Sequence, residues 1–342
     1  MKGLYRAFFL PSIIAVLLLG AILGYLGAGA LLSAILLVIL EFTLSFDNAV
    51  VNASVLKRMD PVWQRRFLTW GILIAVFGTR LVLPILIVAA GVGLSPWTVT
   101  QLAVFNPAEY GHLLEGAHHA ISAFGGIFLL MVALKYFFDV NKDVHWIRAV
   151  EKHVAKWGHL EAVEIVTALI LLVMISMAVP AEASTILTAG VIGLITFILV
   201  EGIASLFSVE ANATGTAAAG GLSLFLYLEI LDASFSLDGV IGAFAITSVL
   251  PVILVGLGIG AYYVRSLTIY LVEQKTLESL IYVEHGAHWA ILGLAASMLI
   301  SLMYPLPELI IGLIGITFIG ASFYSSFRER KRARAEANLS AL

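Results

Sequence analysis

The chain contains no cysteine and very little charge. Of its 342 residues only 12% are Asp, Glu, Lys or Arg, about half the share of roughly 25% in an ordinary soluble domain. Without cysteine there is no disulfide framework and no thiolate metal site. The chain has no G-x-x-x-x-G-K-[ST] loop and no sizeable soluble domain, which argues against a pump driven directly by ATP. H-E-x-x-H is absent too, and with it the zinc-hydrolase helix. The net charge of −3 singles out no partner. No organic cofactor and no nucleic acid are expected.

What the sequence has in abundance is apolar residues, 61% of the total, with a mean hydropathy of +1.03. Several runs of about 20 apolar residues are each long enough to cross a bilayer as a helix. The expected class is an all-α polytopic membrane protein with the lipid bilayer as its main partner. Ten spans are predicted, at 8–26, 29–56, 66–92, 116–138, 160–179, 184–207, 219–247, 250–270, 284–303 and 305–326. Lys2, Arg6 and the AGA at 28–30 could read as a signal peptide, but the first span is expected to be retained.

Lysine and arginine collect on the cytoplasmic side of membrane proteins. With the N-terminus inside, eighteen of the nineteen basic residues face inward, from Lys2 to the tail RERKRAR. The exception, Arg80, lies within a span. Both termini are then cytoplasmic, as in a multi-pass protein of a bacterial inner membrane. The 144–157 segment places Val144, Ile147, Val150, Val154 and Trp157 on one face and reads as a helix lying on the inner surface. The tail after 326 is expected to be basic and unstructured.

The charges that do occur are oddly placed. EFTLSFDNAV (41–50) puts Glu41 and Asp47 inside an apolar span, and DASFSLDGVI (232–241) repeats the pattern with Asp232 and Asp238. Three further matches follow in order. GILIAVFGTR (71–80) aligns with GLGIGAYYVR (256–265), GAHHAI (116–121) with GAHWAI (286–291), and EIVTALI (164–170) with ELIIGLI (308–314). The chain therefore reads as two repeats, 1–180 and 181–326, followed by the tail 327–342. Five spans is an odd number, so the repeats would be inverted, as in secondary transporters with a midplane site.

A charge at a bilayer centre costs about 2.5–3.5 kcal/mol on insertion scales. One reading is structural: the carboxylates, Glu229 included, pair with Arg80 and Arg265 and pin helices together. The other is an ion pathway. On an ideal helix Glu41, Ser45, Asn48 and Asn52 share a face while Asp47 lies about 120° away, and Asp232, Ser236 and Gly239 repeat this with Asp238 off the face. Interrupted helices at 44–48 and 235–239 would let both acids reach one site. Such oxygen donors suit Mg²⁺, Ca²⁺ or Mn²⁺, and imidazole moves preference toward transition metals. Glu115 with His118, and Glu284 with His288, have spacings that metal sites use. They could equally be proton relays or span-end residues with ordinary hydrogen bonds. Glu164 and Glu308 read as interfacial, and Glu201 as a partner for Arg265. Glu41, Asp47, Asp232 and Asp238 sum to −4. One divalent ion leaves −2, to be balanced by Arg80 and Arg265 or by two protons. That is the minimal design of metal/proton exchange.

These motifs carry a resemblance. LEILDASFSLDGVIGAFAIT (228–247) and LEFTLSFDNAVVNA (40–53) resemble the two acidic motifs of the TerC family of integral membrane proteins, over about 29–325. That family is grouped with the LysE superfamily of exporters and is associated with manganese efflux and tellurium resistance. The resemblance implies that Glu41, Asp47, Asn48, Asp232 and Asp238 line a divalent-metal site. Two departures suit a divergent branch: Gly239-Val240-Ile241 stands where the family commonly has Ser-Ile-Pro, and the chain is longer. The leading expectation is a proton-coupled divalent-cation exporter, manganese first, with calcium or magnesium as alternatives, and no enzyme. The alternatives are an intramembrane metalloenzyme using the Glu/His pairs, and a non-transporting assembly or tellurium-resistance factor. A homo-oligomer is left open.

Overall fold

A computed structural model describes residues 2–57, 59–140, 142, 144–160, 162–214, 217–273 and 280–340. At 2–6, 47, 91, 203–214, 217–220, 223, 237–238, 245, 308–309 and 333–340 it describes the backbone alone. Every regular element among these residues is helical: α1 (Lys2–Leu44), α2 (Phe46–Leu56), α3 (Pro61–Leu73), α4 (Leu83–Val92), α5 (Pro96–Phe105), α6 (Pro107–Gly116), α7 (His118–Phe137), α8 (Arg148–Ala155), α9 (Val163–Ala178), α10 (Ala183–Thr214), α11 (Ala217–Ile246), α12 (Leu250–Glu273), α13 (Val283–Ser301) and α14 (Glu308–Ser340). A π-helical segment, Ile74–Val82, joins α3 to α4.

The helix ends follow local chemistry. Asp60 caps α3 by accepting from the amides of Val62 and Trp63, with Pro61 in the first turn, where its missing N–H costs nothing. Ser95 and Pro96 do the same for α5. Gly93, at φ 71°, ends α4 in the left-handed conformation that glycine tolerates. Gly27, at φ 86° and ψ −179°, interrupts α1 between the first two predicted spans.

Among the described residues, six helical stretches are long and apolar enough to cross a membrane, or seven if the bent 148–159 and 163–178 pair counts as one span. Their outer faces are apolar and exposed, as at Val16, Leu17, Trp70 and Met177. The chain is a multi-pass, all-α membrane protein. The other predicted spans also fall on helices.

Close packing rests on small residues. A Cβ on Gly256 would lie 2.5 Å from Leu37 Cβ, and one on Gly260 would lie 2.6 Å from Glu41 Cβ. This small-xxx-small face of α12 lets the α1 backbone approach, as at membrane-helix interfaces generally. Two apolar cores result. One joins α2, α7 and α13 to Leu228–Phe235 of α11; the other joins α1 up to Leu37, α4, α5, α12 and Val240–Ala243 of α11. Glu41, Ser45 and Ser236 fall in the gaps between these cores along α1–α2 and α11. Asp232 lies at the edge of the first core.

Two expectations are corrected here. The second acidic motif is not interrupted: the α11 backbone is helical through 235–239. Ser234 and Ser236 bond back to the carbonyls of Ile230 and Asp232 at 3.0 and 2.7 Å, and Gly239 alone does not unwind the turn. The first motif does break, at Ser45 (φ −102°, ψ 13°). The tail also continues the α14 helix to Ser340, in keeping with its run of Arg, Lys, Glu and Ala, all strong helix formers.

Candidate functional site

The two aligned arginines both end beside an aligned acid. Arg80 lies on the π-helical segment, and its side chain and that of Thr79 both reach the Ala75 carbonyl. Arg80 Nη1 donates to it at 2.6 Å and Thr79 Oγ1 also at 2.6 Å. Arg80 Nη2 donates to Glu41 Oε1, which also accepts from Ser45 Oγ at 2.9 Å. π-Segments of this kind often accompany functional sites. No sequence signal pointed to this one.

Arg265, on α12, is held more completely. Its Nη1 and Nη2 donate to Glu229 Oε1 and Oε2, each at 3.0 Å, in an end-on fork. Nη1 also reaches the Phe67 carbonyl at 3.0 Å, and Nη2 reaches Asp232 Oδ2 at 3.4 Å. The guanidinium sits 4.2 Å over the Phe67 ring. Gly71 makes room: a Cβ there would lie 2.6 Å from Glu229 Oε1. Asp232 offers its second oxygen to Asn48 Nδ2 at 2.7 Å, joining the two motifs. Glu41, Asn48, Arg80, Glu229, Asp232 and Arg265 are all at least 95% buried. In this setting removing one partner of an ion pair costs about 3–5 kcal/mol.

The expected polar row is present and buried. Glu41, Ser45, Asn48 and Asn52 are 1%, 5%, 0% and 0% exposed. Neither amide atom of Asn52 has a hydrogen-bond partner, which is expensive for a buried amide, about 1–3 kcal/mol. One turn further, Val51, Ser54 and Val55 line a cavity of about 480 Å³ at a lysine-bearing end of the molecule. Its walls carry Asp139, Glu164, Glu201 and Glu284 against Lys135.

Several candidate residues are placed differently from expectation. Glu115 and His118 are not on one helix, because α6 ends at Gly116 and Ala117 turns the chain. Glu115 instead faces His112 at 3.7 Å, and His118 Nδ1 meets Ser122 Oγ at 3.1 Å. Glu284 and His288 share α13 and the cavity wall. His288 Nδ1, however, bonds the Glu284 backbone carbonyl at 2.8 Å, while the Glu284 carboxylate faces Lys57 at 3.6 Å. His288 stacks on Tyr136, ring centroids 3.6 Å apart. Glu201 pairs with Lys135 at 3.2 Å and not with Arg265, since α10 packs against α7. The side chains of Asp47, Asp238 and Glu308 lie outside the described residues. Among the described residues no three His, Asp or Glu side chains come together as a metal site.

One carboxylate went unread in the sequence. Glu151, on the surface helix α8, is fully buried. It accepts from His285 Nδ1 at 2.9 Å, Trp289 Nε1 at 3.0 Å, and the amides of Ile147 and Trp146 at 3.1 and 3.2 Å. Lys142 and His145 stand 3.5 and 3.7 Å away. Burial alone would raise its pKa; the donated hydrogen bonds outweigh that and hold it well below the ordinary carboxylate value. Burial lowers the pKa of Lys142 against the pull of Glu151. Glu151 thus ties the 144–159 strap to α13, and Gly158 of that strap forms part of the cavity wall together with Asp139 and Val140.

A family model described as "Protein of unknown function (DUF475)" matches residues 46–333, which include every member of the network except Glu41 and Ser45. The chain belongs to this family. No curated protein and no solved structure matches it.

Proposed function

We propose that this DUF475 member is a divalent-cation transporter, manganese first, coupled to protons and working as an exporter. In this reading it is a divergent relative of the TerC family, built from two inverted five-span repeats in a bacterial inner membrane with both termini cytoplasmic. The observation that carries the proposal is the buried polar row from Glu41 to Asn52. It runs along α1 and α2, from the carboxylate–arginine network to within a turn of the acidic cavity. A packing device would need the ion pairs but not an unsatisfied Asn52 between them and the cavity. Glu41, Asn48 and Asp232 of the network, with Asp47 and Asp238, supply the oxygen donors that a hard divalent ion prefers. The pairing of Arg80 with Glu41 and of Arg265 with Asp232 matches aligned partners in the two halves. This supports the duplication.

A second reading has its own support. Both arginines are paired to carboxylates, as expected of an assembly factor whose charges only lock helices. The two readings separate in proteoliposomes loaded with a metal-sensitive dye and a pH dye. Mn²⁺, Ca²⁺ or Mg²⁺ is added to wild type, Asp47→Asn and Asp238→Asn. Transport predicts metal flux with opposite proton flux, lost in both variants. Folded wild type that moves none of Mn²⁺, Ca²⁺ or Mg²⁺ would leave the assembly reading standing. Metal flux without counter-moving protons would exclude antiport alone.

A further inference from the structure

We propose that Arg265 is a tethered counter-ion that trades places with the transported cation at Asp232, with Glu229 as its parking site. This rests on the transport reading and adds a mechanism to it. Three observations carry it. First, the guanidinium is shared unequally: both Nη atoms sit 3.0 Å from Glu229, whereas only Nη2 approaches Asp232, at 3.4 Å. Second, Arg265 Nε is buried and has no hydrogen-bond partner. Nε and Nη2 form the side-on edge of the guanidinium, and that edge grips a carboxylate as well as the end-on edge does. The Asp232 carboxylate is already beside Nη2, so a modest rotation would give it a side-on fork and use the spare donor. Third, Asn48 donates to Asp232 Oδ1 at 2.7 Å, which anchors the carboxylate while the guanidinium turns against it.

Glu229 is what makes the exchange cheap. The position aligned with it in the first motif, at the same offset of 191, is Val38, so Glu229 is an addition to the duplicated pattern. With a cation on Asp232, the arginine stays forked on Glu229 and remains neutralised. When the cation leaves, the arginine turns to Asp232 and prevents a bare carboxylate pair in the membrane. No covalent step is involved.

The test is Mn²⁺ binding to the purified full chain, read from loss of the free-ion electron paramagnetic resonance signal, with size-exclusion profiles as a check on folding. Glu229→Gln removes the parking site, so Arg265 competes harder for Asp232 and Mn²⁺ affinity falls about tenfold or more, the worth of one charge-assisted bond. Adding Arg265→Gln to that variant removes the competitor, and affinity returns to the wild-type level or better. A merely structural role moves the melting temperature, lowered in the single variant and restored in the double, and leaves the Mn²⁺ affinity of the folded protein at the wild-type level in both. Unchanged affinity in Glu229→Gln, or no recovery in the double variant, overturns the inference while leaving transport intact. Absence of Mn²⁺ binding by folded wild type overturns both. Should Glu229→Gln fail to fold, wild-type structures with Mn²⁺ and with chelator decide it. The Nη2–Asp232 separation must be longer with Mn²⁺, and equal separations overturn the inference.

Discussion

Asn48 Nδ2 donates to Asp232 Oδ1 at 2.7 Å across 184 residues, so the two acidic motifs meet through an amide. An amide is the right group there because Asp232 already leans on Arg265. Removing it in Asn48→Ala leaves a buried carboxylate oxygen without its donor, a loss of about 1–3 kcal/mol. A drop in thermal stability and a fall in Mn²⁺ uptake are expected together. Asn48→Asp puts two carboxylates in contact. It is expected to be unstable in chelator and to be rescued by millimolar Mn²⁺, because a divalent ion bridges two acids that otherwise repel. Melting curves with and without Mn²⁺ check this.

Glu41 and Arg80 are expected to be far less damaging when lost together than when lost singly. Glu41→Gln and Arg80→Gln each leave an uncompensated buried charge, at about 3–5 kcal/mol. The double variant leaves none. A double-mutant cycle on the melting free energy is expected to give a coupling of at least about 3 kcal/mol, because the double variant loses less than either single one. Additive losses would show that the pair is not a unit. Arg80→Lys does not substitute, because lysine lacks the planar fork whose two separate Nη atoms reach the Ala75 carbonyl and Glu41.

Much of this was readable from the chain because lipid makes polar residues conspicuous. The apolar runs located helices, and the duplicated acids and arginines led to the buried network. Three things were not readable, each for a physical reason. The π-segment around Arg80 coincides with side-chain bonds to the Ala75 carbonyl and a buried pairing with Glu41, a tertiary arrangement with no periodic signature. The Glu115–His118 spacing assumed a continuous helix that Ala117 breaks. Glu151 lies in an amphipathic stretch where a charge ordinarily faces water, and its burial comes from His285 and Trp289, more than 130 residues away.

Glycine substitution separates packing from chemistry. At Gly260 an added methyl group would lie 2.6 Å from Glu41 Cβ, so Gly260→Ala forces α12 away from α1. A cost of about 1–3 kcal/mol is expected, typical of overpacking. Gly24→Ala is the control, because nothing lies within 4 Å of its added Cβ. It is expected to be neutral or slightly stabilising by helix propensity, about 1 kcal/mol at most. Melting temperatures of both variants check this, and an equal effect at the two sites would refute the close approach.

Glu151 gives the strap a pH dependence whose sign is set by its environment. Its carboxyl is held well below the ordinary 4.5, so its contribution is fully present above that value. It is lost as pH falls through the depressed native value, because protonation removes the acceptor for His285 and the charge opposite Lys142. Hydrogen exchange in 144–159 is therefore expected to show constant protection from about pH 8 to about pH 5, with loss only in stronger acid. Glu151→Gln keeps the shape but not the charge, so it is expected to lower protection at every pH and to abolish the acid transition. Because the strap walls the cavity, the same variant is expected to speed entry of a water-soluble quencher to Tyr136 and Tyr227. A Glu151→Gln protein with wild-type exchange in the strap would mean that apolar contacts, such as those of Val154, hold it instead.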